Sequence, residues 1–292
     1  MSYFIIHHND ADGIAAAAVC LYAFGIDTPT HETNYGQEPP DIPYDADVYI
    51  VDFCYPPDEL NKLAARCKSI VVIDHHKTAA AAIAEAPTMR DNITTYFDMD
   101  ESGASFAYKK LISNSENDIP QVIQSVKDWD LWRFEIFGSR EVHEGLMLEE
   151  QTPRHYYDMI FQTDVSWWER LFDNGTIALR HKLAIVDHMV AKAQLGVFAG
   201  HPAAFVNSPT FISDLGHALA KKADDSPSSL AAKAGGIGVV FSTPDMNTVI
   251  VSLRSLPDGP DVSVLAKLRG GGGHEHAAGF RTTLNSIDEF WL

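Results

Sequence analysis

Four short stretches of this chain concentrate aspartate and histidine at spacings suited to metal-assisted chemistry. His7-His8-Asn9-Asp10-Ala11-Asp12-Gly13 sets two imidazoles ahead of two carboxylates one residue apart. Such carboxylates can each face a different cation, and Gly13 permits a tight turn behind them. The same pattern also makes an Asx-turn or a helix N-cap, so alone it decides little. Asp52 follows Val48-Tyr49-Ile50-Val51, where it reads equally as a helix cap or a ligand. Asp74-His75-His76 follows Ile70-Val71-Val72-Ile73, and a His pair behind an apolar run and an acid has few structural uses. Val126–Trp132 holds Asp128 and Asp130 between large apolar residues, either as the acidic face of a helix end or with Asp128 joining the cluster. Carboxylates and imidazoles gathered in one crevice cannot all stay charged and unpaired. A cation neutralises them, and oxygen and nitrogen donors favour a divalent ion such as Mn2+, with Mg2+ as the alternative.

The second half carries a different signal. Arg269 is followed by four glycines, Gly270-Gly271-Gly272-Gly273, and then His274. A glycine run costs conformational entropy on folding. It suits a backbone whose N–H groups must come close to a phosphate. Arg254 ends the β-rich run Val251-Ser252-Leu253 and is placed to reach the same anion, although alone it also reads as a surface arginine on a β edge.

These residues need elements to hold them. Tyr3–His7 reads as a strand, followed by a polar turn and an Ala-rich helix from Ile14 to Phe24. Val48–Asp52 and Ile70–Asp74 are two further continuous Ile/Val runs, with a helix start at Pro56-Pro57-Asp58 between them. Continuous apolar strands alternating with helical patterns predict an α/β domain, a parallel sheet with helices on both faces. Ligand sites in such sheets lie beyond the carboxyl ends of the strands, where these acids fall. Helical patterns follow at Ser102–Ile112, Ile119–Val126, Tyr156–Leu171 and about Thr176 to Gln194. After Gly196 the character changes. Strand patterns occur at Ala203–Val206, Ile237–Phe241 and Thr248–Leu253, helical ones at about Phe211–Lys222 and Val262–Leu268, and a polar loop at Asp224–Ser229. We expect an N-terminal domain over 1–190 and a smaller C-terminal α/β domain over 197–292.

Composition narrows the partners. The 292 residues are 46% hydrophobic and 21% charged, an ordinary globular balance. There are 40 acidic against 22 basic side chains. Residues 1–195 hold 31 of the acids and 15 of the bases, and residues 1–50 hold no Lys or Arg. A long nucleic acid or an anionic membrane calls for a basic surplus, so neither is an expected partner. A small anionic substrate remains compatible if charge is supplied locally. No stretch reaches membrane-spanning length, and the N-terminus lacks the basic region of a signal peptide. Three scattered cysteines, Cys20, Cys54 and Cys67, read as reduced thiols of a cytoplasmic protein.

Taken together, His-Asn-Asp-Ala-Asp-Gly at 8–13, Asp52, Asp-His-His at 74–76, Asp-Trp-Asp-Leu-Trp at 128–132 and Gly-Gly-Gly-Gly-His at 270–274 resemble the DHH/DHHA1 phosphoesterase superfamily, over nearly the whole chain. The resemblance implies a two-metal hydrolase. One ion is then held by His7 or His8 with Asp10 and Asp52, the other by Asp12, Asp52, His75 and Asp128. His76 faces the scissile phosphate, and Asp74 orients its neighbours. Arg254, Gly271, Gly272, Gly273 and His274 hold the substrate's distal end. Relatives with a longer first motif place a His four residues before the first Asp; here that position is Ile6. The implied reaction is hydrolysis of dinucleotides or short oligonucleotides to 5′-mononucleotides. The alternatives are a phosphatase of 3′-phosphoadenosine 5′-phosphate and a RecJ-like single-strand exonuclease. Whether the chain acts alone or as a homodimer is left open.

Overall fold

The structure, a computed structural model, describes residues 2–161, 165–226 and 230–284. The chain divides into two compact units, Met1–Leu179 and Arg180–Leu292. The division falls inside a long helix, not near residue 190, because the last turns of that helix pack with residues of the second unit. Lys182 pairs with Asp214, and Val186 shares a core with Leu215 and Leu219.

The first unit runs β1 (Tyr3–His8), α1 (Ala11–Phe24), β2 (Thr30–Thr33), β3 (Asp47–Val51), α2 (Pro57–Ala64), β4 (Ser69–Asp74), α3 (Lys77–Ala84) and β5 (Ile93–Phe97). It continues through α4 (Gly103–Leu111), α5 (Gln121–Asp130), α6 (Ser139–Leu146), α7 (Pro153–Phe161) and into α8 (Val165–Ala191). The strands form one sheet in the order β2-β1-β3-β4-β5, with every pairing parallel.

The apolar runs are continuous because both faces are covered, and alternate residues go to opposite cores. Ile5, Val51 and Ile73 pack against α1, α4 and α5. Phe4, Ile6, Val48, Ile50, Ile70 and Val72 pack against Leu60 and Leu63 of α2. Helix α1 lies deep in the first core, its Ala15–Ala18 fully buried, so small side chains let it approach the sheet closely. Residues Tyr156–Leu171, expected as one helical stretch, belong to two helices, α7 and α8, and residues 162–164 lie outside the described part.

The second unit holds β6 (Gln194–Phe198), β7 (His201–Asn207), α9 (Ile212–Asp225), β8 (Ile237–Ser242), β9 (Thr248–Ser255), α10 (Val262–Lys267), β10 (Gly272–His274) and β11 (Ala277–Thr283). Its six-stranded sheet has the order β10-β11-β9-β8-β7-β6 and is mixed, since only β7 and β8 pair in parallel. The expected Asp224–Ser229 loop begins later than predicted, as α9 continues through Asp225, and residues 227–229 lie outside the described part. Among the described residues no helix is long and apolar enough to cross a membrane. Cys20, Cys54 and Cys67 are all free.

Candidate metal centre

The order β2-β1-β3 reverses direction between β1 and β3, which opens a crevice at the carboxyl edge of the sheet. Strand β1 delivers His8, Asp10 and Asp12 there, β3 delivers Asp52, and β4 delivers Asp74-His75-His76.

Asp10 caps α1, accepting from the Gly13 amide at 2.9 Å. Its other oxygen lies 2.8 Å from His8 Nδ1. Asp12, two residues further on, is buried, and the N-terminus of α4 clamps it. Gly103 N donates to Oδ2 at 2.5 Å and Ala104 N to Oδ1 at 3.0 Å. Asp52 leaves the end of β3 in the left-handed region, at φ 55°. Its amide donates to Ile73 O at 2.9 Å, which keeps it tied to β4. Oδ1 lies 3.1 Å from His75 Nε2 and Oδ2 lies 3.7 Å from His8 Nδ1, so one carboxylate faces both imidazoles.

Asp74 is fully buried. Its Oδ1 accepts from the amides of His75 and His76 and lies 2.7 Å from His76 Nδ1. That carboxylate therefore fixes the ring of His76. Strand alternation separates the histidines of the first motif. His8 stands with Asp10 and Asp52, whereas His7 is buried with Nδ1 2.7 Å from His8 O and joins no such cluster among the described residues.

Asp128 departs from its expected place. Its carboxylate accepts from the amides of Glu135 and Ile136 at 2.8 and 3.2 Å and so closes the turn after α5. Asp130, two residues on and therefore on another side of the helix, brings Oδ2 to 3.5 Å from His75 Nε2. Two triads result, His8–Asp10–Asp52 and Asp12–His75–Asp130. Glu101, which the sequence did not single out, ties the elements behind the second triad. Both its oxygens lie 2.9 Å from Lys127 of α5, and it accepts from Lys109 and Ser105 of α4 at 2.6 Å each.

The donor set fits a divalent metal. Asp52 Oδ1 and Asp130 Oδ2 are buried and accept no hydrogen bond, although an imidazole nitrogen is within 3.5 Å of each. Donor atoms aimed past one another in this way suit a shared cation. Without one the charges are strained. Burial, then the Asp52 charge, pushes Asp12 well up, and burial takes Asp130 to about 6. Burial lowers His8 and His75, but the carboxylates outweigh it, raising His75 and taking His8 to about 11. His8 then carries a proton across the neutral range, and a metal must displace it. Mn2+ affinity is therefore expected to rise as pH rises from about 6 to about 8, by up to about tenfold per pH unit for each proton expelled. Calorimetry in two buffers of different ionisation enthalpy measures the released protons; a pH-independent dissociation constant would contradict this reading.

In the second unit Arg254 leaves β9 with its stem against Gly216 of α9, where a Cβ would lie 2.5 Å from Arg254 Cγ. Its Nη2 donates to Ser213 Oγ at 3.0 Å and Nη1 to Leu253 O at 3.0 Å. Burial lowers its pKa to about 10, and among the described residues no carboxylate pairs with it. The glycine run is not an open cradle. Gly271 N donates to Ala266 O at 2.9 Å, and Gly272, Gly273 and His274 form β10, paired antiparallel with β11. A Cβ on Gly271 would lie 2.0 Å from Gly279 O, so that glycine answers a close approach within the fold.

Fold and site define an α/β protein with carboxylates and imidazoles gathered at the carboxyl edge of a parallel sheet. Residues 2–126 match the DHH family, N-terminal domain. It is 24% identical over 246 residues to an uncharacterized protein of Acanthamoeba polyphaga mimivirus, covering 80% of this chain and 52% of that protein. The chain thus spans about half the length of that relative. It is 24% identical over 324 residues to the oligoribonuclease NrnB of Bacillus subtilis (strain 168), covering 96% of this chain and 73% of NrnB. Among solved structures, RecJ in complex with Mn2+ from Thermus thermophilus aligns with 99% of this chain and 50% of its own, at 16% identity and a TM-score of 0.54, a likeness of fold.

Proposed function

We propose that the protein is a metal-dependent phosphodiesterase that hydrolyses dinucleotides and short oligonucleotides to 5′-mononucleotides. The observation that carries this reading is the pair of buried, hydrogen-bond-free oxygens, Asp52 Oδ1 and Asp130 Oδ2, at the crevice between β1 and β3. His8, Asp10 and Asp52 would hold one ion, and Asp12, Asp52, His75 and Asp130 the other, Mn2+ being the ion we favour. Two such ions supply positive charge to phosphoryl oxygens and lower the pKa of bound water.

The chain's own side chains do the rest. Burial lowers the His76 pKa, but the adjoining Asp74 charge more than compensates, so the ring is biased toward its protonated form. A protonated, fixed imidazole donates a hydrogen bond to an anionic phosphoryl or leaving oxygen. Asp74 keeps the ring in place through Nδ1. Arg254, a cation without a carboxylate partner among the described residues, suits a second phosphate of the substrate, with His274 as the further candidate beside the glycine run. The acidic surplus of the first 195 residues argues for a short substrate over a long strand. The oligoribonuclease NrnB and RecJ with Mn2+, as similar proteins, support the same chemistry.

The test is a product screen by mass spectrometry. Mn2+-loaded protein is given a dinucleotide, a long single strand and 3′-phosphoadenosine 5′-phosphate. Conversion of the dinucleotide to 5′-mononucleotides as the fastest reaction is expected. Preference for the long strand would overturn the length assignment, and rival release of inorganic phosphate would make the protein a phosphomonoesterase.

A further inference from the structure

Tyr35 stands at the metal centre without belonging to any of its motifs. It follows β2, the edge strand beside β1, in the turn Asn34-Tyr35-Gly36-Gln37. Gln37 N donates to Asn34 O at 3.1 Å, and Gly36 takes φ 84°. That is the type II geometry, which needs a positive φ at its third residue and so favours glycine there. Asn34 makes the turn rigid. Its Oδ1 accepts from Tyr35 N at 2.8 Å, its N donates to Gln37 Oε1 at 2.9 Å, and its Nδ2 donates to Asn9 Oδ1 at 3.1 Å. The last bond anchors the turn to the first acidic motif.

The Tyr35 ring is thereby held over the site. Its centroid is 5.6 Å from His8 and 5.8 Å from His76, edge-on to both, and 5.0 Å from Phe53. His8 and His76 are themselves 6.1 Å apart, so the three rings form one wall. Among the described residues the hydroxyl has no hydrogen-bond partner, and the side chain is 44% exposed. A rigidly mounted tyrosine with an unused donor, between an imidazole of the first triad and the imidazole fixed by Asp74, has a simple chemical use. At neutral pH its O–H is protonated, so it donates to an anion without adding charge to an already acidic crevice.

We propose that Tyr35 is a substrate-contacting residue whose hydroxyl donates a hydrogen bond to an anionic phosphoryl oxygen seated against the His8–His76 wall. The proposal rests on the phosphodiesterase reading and adds to it a residue that binds no metal.

Tyr35→Phe is the discriminating variant, since it keeps the ring packing and removes only the donor. Loss of a preorganised donor to a developing oxyanion costs about 10²- to 10³-fold in other hydrolases. For a half-exposed hydroxyl we expect a fall in kcat/KM on a dinucleotide of about tenfold or more, with Mn2+ affinity and stoichiometry unchanged by calorimetry. The second measurement is equilibrium binding of adenosine 5′-monophosphate to the Mn2+-loaded proteins, expected to weaken in the variant. Wild-type kcat/KM and wild-type nucleotide affinity in Tyr35→Phe would overturn the proposal while leaving the phosphodiesterase reading intact. No hydrolysis by the unmodified protein, with nucleotide binding that still depends on the hydroxyl, would overturn that reading and leave Tyr35 a phosphate contact. No nucleotide binding by the unmodified protein would overturn both.

Discussion

Asp52→Asn is expected to abolish hydrolysis while leaving the metal-free chain folded. Asp52 is the carboxylate that faces both imidazoles, His8 through Oδ2 and His75 through Oδ1. An amide keeps one oxygen and loses the charge, so neither ion of a shared site is held as before. Metal charge contributes several kcal/mol at the transition state. At about 1.36 kcal/mol per decade, kcat should fall by about 10³-fold or more. The substitution is clean in one respect that alanine is not. Position 52 has φ 55°, and Asn and Asp occupy that region more readily than most residues with a Cβ. Asn therefore removes charge without adding backbone strain. In the metal-free protein it also removes one of the carboxylates that push Asp12 and Asp130 upward. The thermal midpoint without metal should thus stay near that of the unmodified chain, and the gain on adding Mn2+ should disappear. Hydrolysis and a Mn2+-induced rise in midpoint that both survive in Asp52→Asn would show that Asp52 holds no metal.

The parts of this site that were legible in the sequence are those carried by continuous apolar strands. The Ile/Val runs of β1, β3 and β4 announced two-sided burial, and the acid behind each run announced the sheet edge. Strand β2 was invisible because Thr30-His31-Glu32-Thr33 has no apolar run; it is an edge strand with only Thr33 buried. Tyr35 was missed with it, since nothing announced an element that would bring residues 34–37 to the site. Strand β5, Ile93–Phe97, lies on the opposite edge, and its two central threonines hid it in the same way.

The first-motif histidines and the two acids of α5 show a second limit. Neighbouring residues of like type are separated by the register of their element, which composition does not give. Strand β1 continues through His8, so His7 and His8 point to opposite faces. Helix α5 continues through Asp130, so Asp128 turns to the amides of Glu135 and Ile136 and Asp130 to His75. The glycine run shows a third. Its residue types suit a phosphate loop and a tight strand pair alike, and Gly271 answers the second need.

Gly103→Ala should disable the site from a residue that carries no functional group. By helix propensity alone the change is favourable, by up to about 1 kcal/mol in a helix interior. Gly103 opens α4 directly after its cap, Ser102, and its amide is one of the two that clamp Asp12. A Cβ there would lie 2.3 Å from Asp52 Cβ and 2.7 Å from both Asp52 Cγ and Oδ1. Neither side can yield cheaply. Asp52 is held by the hydrogen bond its backbone N–H donates to Ile73 O, and α4 by the Asp12 clamp and the Ser102–Ser105 capping box. Overpacking of this kind costs about 1–3 kcal/mol, enough to outweigh the propensity gain. The displaced atoms are metal-facing oxygens, and an error of about 1 Å in such positions costs about 10²-fold in rate. We expect a lowered thermal midpoint, weakened Mn2+ binding and a fall in kcat of about that size or more. The further loss of rate and of Mn2+ binding should nearly vanish when Gly103→Ala is made on the Asp52→Asn background, because both act through one side chain, whereas the fall in midpoint should persist, since Asn keeps the Cβ and Cγ that the new methyl meets. Additive losses of Mn2+ affinity in that double variant, or full activity in Gly103→Ala alone, would show that α4 and the end of β3 are not in the close contact that fixes Asp52.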